Sequence, residues 1–306
     1  MSFELPPYPY DLLDPYRRIA AQHSGGVVDL SVGTPCDPPP IHAVRALAES
    51  DSERGYPSSV GSEEFRESCR KWVKRRFDVD LKIENNIAAC IGTKEFVVST
   101  PHFLRLRNPE KDTVLYPEVS YPSYAMGAEL SGCRAVPVRI DDDGQLLLQE
   151  LEQSDINRAL MLWVNYPSNP TGAVGDLESI ANWGRSHSIP VFSDECYAEF
   201  VWGQTPQTIL SKDLSGVVAV HSLSKRSNLA GVRAGFYAGD EDLVFWLKEI
   251  RKHSGKMIPG PVQAAASAAY SDDQHVEEQR QRYRERLDFL RSCFDSLNIK
   301  TEFPQG

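Results

Sequence analysis

Short, continuous apolar runs alternate with amphipathic stretches along most of this chain. The runs are Thr113–Tyr116, Ala135–Val138, Ala159–Val164, Pro190–Ser193, Val217–Val220 and Ala234–Ala238, each bounded by turn residues. Helical spacing marks other stretches, among them Phe65–Phe77 and Phe96–Leu106. A strand that is apolar at every position is buried on both faces, so the pattern predicts an α/β fold: a mostly parallel sheet with helices on either side. In such sheets ligands bind beyond the carboxyl ends of the strands. The residues just after each run are therefore the ones to inspect for chemistry.

Outside this region the pattern changes. The first forty residues hold a proline-rich arm, an apolar run Val27–Val32 and a loop, Gly33–Pro40, too rich in proline to be regular. After Lys252 a long charged helix is predicted over Asp273–Leu297, with Tyr283, Leu287, Leu290 and Phe294 at three- and four-residue spacing. Ile299–Phe303 then reads as a strand. The predicted organisation is an arm and part of a small domain over 1–40, a large domain over 41–255, and an interdomain helix with the start of a C-terminal small domain over 256–306.

Composition narrows the class. At 306 residues, with 41% hydrophobic and 25% charged residues, the chain can bury a large core and is neither fibrous nor disordered. Its net charge of -10, with no basic block, argues against a nucleic-acid partner. The opening stretch has no apolar segment of signal-peptide type and no run is long enough for a membrane helix, so a cytoplasmic enzyme with no membrane partner is expected. Six scattered cysteines without a CxxC pair read as buried reduced thiols, and no metal site is expected.

Candidate chemistry concentrates after three of the apolar runs. The run from Val217 leads into Ser222, Ser224 and Lys225, with Arg233 eight residues beyond the lysine. A lysine becomes a Schiff-base nucleophile when desolvation leaves its amine partly neutral. The two serines and the planar arginine fork are phosphate donors beside it. The run ending at Ser193 presents Asp194, then Tyr197. A carboxylate there could hold a pyridine nitrogen protonated, since two charges about 4 Å apart attract by about 4 kcal/mol at a dielectric near 20. Taken alone, Asp194 could equally be a helix cap. Asn169, in the turn after Val164, could donate with Tyr197 to a phenolic oxygen and favour its anion. Upstream, the backbone N–H groups of Gly92, Thr93 and Lys94 open a helix and could cradle an anion. Tyr121 could stack on an aromatic ring or be an ordinary loop aromatic. Together these groups point to pyridoxal 5'-phosphate (PLP).

The ensemble resembles the class I/II aminotransferases of fold type I. The order Gly33, Tyr56, Gly92, Thr93, Tyr121, Asn169, Asp194, Tyr197, Lys225 and Arg233 matches that family's cofactor pocket from Leu30 onward. The resemblance implies Lys225 as the catalytic residue, Gly33 and Asn169 at the substrate, and Tyr56 reaching the phosphate of a neighbouring subunit in a homodimer. The stretches after Gly92 and after Arg251 look most like N-succinyldiaminopimelate aminotransferases of lysine biosynthesis. Members of the family continue well beyond the present last residue and supply an arginine for the substrate α-carboxylate, so a truncated chain of doubtful turnover is expected.

The implied reaction is ping-pong transamination between glutamate and a 2-oxo acid, by resemblance N-succinyl-2-amino-6-oxopimelate. Lys225 is displaced by the donor and then moves the proton. Arg226 and Arg17 are possible anchors for distal carboxylates, although solvated surface roles suit both. The core motifs specify the cofactor more than the outcome. Another PLP reaction, or an impaired PLP-binding remnant, stays open.

Overall fold

The computed structural model describes residues 7–306. They fall into two compact units that meet at Pro35 and Cys36. In the N-terminal unit a turn at Asp11–Leu13 leads into helix α1 (Asp14–Ala20). Val27–Val32 joins no strand and is exposed, Leu30 to 90%. Arg17 lies 3.3 Å from Asp14, 3.4 Å from Asp29 and 3.1 Å from Ser31. Its guanidinium is committed within its own unit.

The larger unit contains helices α2 (Ile41–Ala48), α3 (Glu63–Phe77), α4 (Gly92–Arg107), α5 (Ser123–Leu130), α6 (Gln153–Arg158), α7 (Leu177–His187), α8 (Leu223–Arg226), α9 (Glu241–His253), α10 (Gly260–Ser271) and α11 (Gln274–Ser296). Its strands are β1 (Ile87–Cys90), β2 (Thr113–Pro117), β3 (Arg134–Val138), β4 (Ala159–Val164), β5 (Val191–Asp194), β6 (Val217–Ser222) and β7 (Gly235–Gly239). They form one sheet in the order β1-β7-β6-β5-β4-β2-β3. Only β7 runs against its neighbours, and the other pairings are parallel.

The six apolar runs form strands β2 to β7, and their period-two alternation feeds two separate cores. Val217 and Ala219 face one core with Phe65, Trp72 and Val73 of α3 and Ala266, Ala269 and Tyr270 of α10. Val218 and Val220 face the other with Phe96 and Val97 of α4, Tyr124 of α5 and Val244 and Leu247 of α9. β1 was not among the predicted strands. Its middle residues are two alanines, poor strand formers, and burial against β7 rather than propensity makes it a strand.

Two expectations need correction. Ile299–Phe303 forms no strand. Its period-two pattern meets no strand edge, and the backbone just beyond it bonds to loops instead: Trp202 donates to Gln305 (2.8 Å) and Gly306 donates to Gly172 (2.9 Å). Arg226 is neither solvated nor free to anchor a substrate. It is only 2% exposed, and all five of its N–H groups are used by Glu199, Ser227, Asp273 and the carbonyls of Ala269 and Asp272. Among the six free thiols, Cys69, Cys90 and Cys133 are buried, whereas Cys36 is exposed. No helix among the described residues is long and apolar enough to cross a membrane.

One ion pair ties the start of α4 to α9. Arg251, 2% exposed, donates two bonds to Glu95, at 2.9 and 2.7 Å, and its guanidinium sits 5.5 Å from the Phe96 ring centroid. Lys256 lies 3.0 Å from the same carboxylate. Burial alone would raise the Glu95 carboxyl, but Arg251 and Lys256 outweigh it and hold it at about 2, against an ordinary 4.5. A carboxyl depressed on folding stabilises the native state above its unfolded value and loses that contribution as pH falls through the folded one. Replacing Glu95→Gln should therefore cost on the order of 3 kcal/mol at neutral pH. The same variant should flatten the loss of stability between pH 4.5 and about 2. Denaturant melts of both proteins across that range check it; parallel curves would show that the pair contributes nothing through ionisation.

Candidate active site

Strand direction decides which residues meet. With β7 reversed, the carboxyl ends of β1, β2, β4, β5 and β6 lie at one edge of the sheet, and the start of β7 lies there too. Gly235 is in register with both Cys90 and Ser222. Arg233, two residues before Gly235, is thereby brought to the first turn of α4. A Cβ on Gly92 would lie 2.5 Å from the Arg233 Nη2, and Gly92 has φ +71. Only glycine permits both the backbone conformation and the close guanidinium. Arg233 itself is left-handed (φ 59) and donates through Nη1 to the Ala230 carbonyl at 2.8 Å.

Lys225 projects from α8, the short helix that begins where β6 ends. Ser222 caps it: its Oγ accepts from the Ser224 amide (3.0 Å) and lies 2.8 Å from the Ser224 Oγ. Burial pulls the half-buried Lys225 ammonium below its usual range. Cys196 stays a thiol, because burial pushes its own pKa far up.

On the adjacent strand, Asp194 is 6% exposed and forms no ion pair among the described residues. Its Oδ2 accepts from the Tyr124 hydroxyl (3.1 Å) and its Oδ1 from the Cys196 amide (3.2 Å). Burial raises the Asp194 pKa, and these two bonds oppose the rise. The Asn165 amide donates to the Asp194 carbonyl (2.7 Å) and accepts through Oδ1 from the Asn169 backbone (2.8 Å). Asn169 donates in turn to the Tyr197 hydroxyl at 3.3 Å. The Cys196 thiol donates to the Thr93 hydroxyl (3.1 Å), linking the β5 loop to the first turn of α4. Lys94 is exposed, with Nζ 6.0 Å from the Tyr121 ring centroid, and Tyr121 meets Tyr124 edge-on at 6.3 Å.

The sequence-predicted residues Gly92, Thr93, Lys94, Tyr121, Asn169, Asp194, Tyr197, Ser222, Ser224, Lys225 and Arg233 all lie on segments at this one edge. Tyr56 stands apart from these bonds, 99% exposed. Gly33 lies in the N-terminal unit. Sequence reasoning missed Tyr124, Asn165 and Cys196. The signal for Tyr124 was its spacing, three residues after Tyr121 on a helical start.

Residues 25–306 match the family described as aminotransferase class I and II. The chain belongs to this family, and its members are PLP-dependent enzymes that act on amino and 2-oxo acids. It is similar to a 4-dedimethylamino-4-oxo-anhydrotetracycline transaminase of Streptomyces rimosus, 38% identical over 99% of this chain and 83% of the relative. It is also similar to the LL-diaminopimelate aminotransferase of Aquifex aeolicus, 33% identical over 97% and 79%. A solved structure from Thermus thermophilus, described as a "probable N-succinyldiaminopimelate aminotransferase", superposes with a TM-score of 0.83 at 29% identity, covering 94% of this chain and 80% of that one.

Gly92 offers a local test of the geometry. Gly92→Ala forces a Cβ into the Arg233 guanidinium at a positive φ, and should destabilise the fold by about 1 kcal/mol or more. PLP affinity, read from cofactor absorbance, should fall with it. A variant that melts and binds like the parent would show that Arg233 does not depend on the bare Cα.

Proposed function

We propose that the chain moves an amino group between glutamate and N-succinyl-2-amino-6-oxopimelate, holding PLP at the sheet edge described above. The observation that carries the reading is Asp194, a buried acid with no cationic side chain paired to it among the described residues, one strand away from a lysine that burial has weakened as a cation. Such an acid is costly unless a cation is brought to it.

The residues present fit the cofactor. The space left by the missing Gly92 side chain admits the Arg233 fork, which suits a phosphate, and the N–H groups at the start of α4 with Ser222 and Ser224 add neutral donors. Tyr121 is available for stacking and Asn169 with Tyr197 for the phenolic oxygen. When bound, PLP withdraws electrons from the substrate Cα.

The chain's own part is to bind, orient and move one proton. Lys225 would hold the cofactor, and its amine, once free, would carry the proton from the substrate Cα. Its burial favours the neutral amine needed for that acceptance. Asp194 would answer a positive ring nitrogen, and the Tyr124 hydroxyl and Cys196 amide fix where its two oxygens point. Gly33 and Asn169 take the substrate side, and Tyr56 reaches the phosphate site of a second copy in a homodimer. A second acceptor, the oxo form of LL-diaminopimelate, is favoured by the Aquifex relative.

Borohydride reduction of the PLP-loaded chain should fix the cofactor to Lys225, and Lys225→Ala should abolish both trapping and bleaching by glutamate. A several-thousand-fold or greater loss of transamination is expected, since the variant removes both anchor and proton carrier. Half-reactions with glutamate, N-succinyl-LL-diaminopimelate and LL-diaminopimelate rank the donors. A chain bleached faster by LL-diaminopimelate than by its succinylated form would transfer the reading to the second acceptor. Trapping at another lysine would end it.

A further inference from the structure

We propose that His42, Asp272 and His275 form a binding site for one divalent transition-metal ion of the zinc type, built from residues that take no part in the amino-transfer reading. His42 lies in the first turn of α2, Asp272 in the corner between α10 and α11, and His275 in the first turn of α11. Packing of α2 against α10 brings the three together.

The His42 Nε2 is 3.8 Å from the Asp272 Oδ2, and the His275 Nδ1 is 2.5 Å from the same oxygen. One nitrogen or oxygen from each residue falls within a 4.8 Å cluster. The two imidazoles meet edge-on with centroids 5.5 Å apart. Tetrahedral zinc with bonds of about 2.0 Å sets neighbouring ligand atoms roughly 3.3 Å apart. The short pair would open and the other two pairs close towards that spacing, the two imidazole nitrogens by up to about 1.5 Å, which side-chain rotation supplies.

Two features favour a metal over a plain hydrogen-bonded cluster. First, the His42 Nε2 is shielded from solvent and makes no hydrogen bond, an unsatisfied position that costs free energy unless something binds it. Second, the far nitrogen of His275 is held: its Nε2 lies 2.9 Å from the Ser227 Oγ, which also accepts from Arg226 Nη1 at 3.2 Å. Metal-bound histidines are characteristically oriented by such an outer partner.

Two imidazoles and one carboxylate suit zinc, cobalt or nickel rather than calcium or magnesium, which want oxygen. A cavity of about 250 Å³ lies beside His275, lined also by Asp37, Ser227 and Glu278. The nearby Arg226 cation does not forbid a second positive centre, because Glu199 and Asp273 neutralise it. A bound ion would staple α2 to the corner between α10 and α11.

The test is calorimetric titration of the chelator-stripped, PLP-loaded chain with zinc chloride, with cobalt absorption as a second readout. One equivalent is expected, unchanged by Cys36→Ser, with His42→Gln and His275→Gln each weakening it by about tenfold or more. Should His275→Gln fail to fold, His42→Gln, at a half-exposed position, decides alone. Absence of saturable binding below about 1 mM, or binding that survives His42→Gln unchanged, overturns the site.

Discussion

Holding a carboxylate out of water without a basic partner is the constraint around which this molecule is arranged. Asp194 ends β5 with its neighbours buried, and the cost of that position is met by directed bonds from Tyr124 and Cys196 rather than by an ion pair. The Asn165 amide clamps the carbonyl of the same residue and passes the constraint on through Asn169 to Tyr197. Three loops, after β2, β4 and β5, are thus registered against one acid. Where a cation is to be received, rigidity of this kind matters more than affinity for any one donor, because preorganised groups need no rearrangement when the charge arrives.

The antiparallel β7 does for the basic groups what those bonds do for the acid. A strand returning beside β6 carries Arg233 back to the edge that Lys225 leaves, so eight residues of sequence become a short distance in space. The first turn of α4 must then come close to a guanidinium, and the bare Cα of Gly92 permits it. That turn is held from behind by Glu95, whose partners Arg251 and Lys256 belong to a stretch about 160 residues later. The two stretches that carried the subfamily resemblance, after Gly92 and after Arg251, are thereby in direct contact.

Much of this was legible because buried strands announce themselves. Val217–Val220 and Ala159–Val164 are apolar at every position, and only a sheet covered on both faces satisfies such runs. Residues placed just after them inherit the site from topology alone. What escaped depended on tertiary partners. Ile-Ala-Ala-Cys carries no strand signal of its own, whereas Ile299–Phe303 carries one but finds no edge to join. Arg226 follows a lysine in a polar stretch and reads as solvated, yet it is buried between the Trp72 and Tyr270 rings with Glu199. Tyr124 looks like a core aromatic, and its hydroxyl gains a role only because β2 and β5 converge on the same edge.

The charge distribution joins the two halves of the reading. A protein of net charge -10 repels anions on average, yet its proposed substrates are anionic at two or more positions. Attraction must therefore be local, and the sheet edge is where it arises: Lys94, Lys225 and Arg233 gather there with the amino end of the 16-residue α4, whose helix dipole adds partial positive charge. Acids elsewhere, such as Asp78 and Asp80 against Lys74 or Asp37 against Arg286, are engaged by their own cations away from that edge. Basic groups gathered at one edge of an otherwise acidic chain give an anionic substrate of the proposed kind one place to be drawn to, next to the buried Asp194.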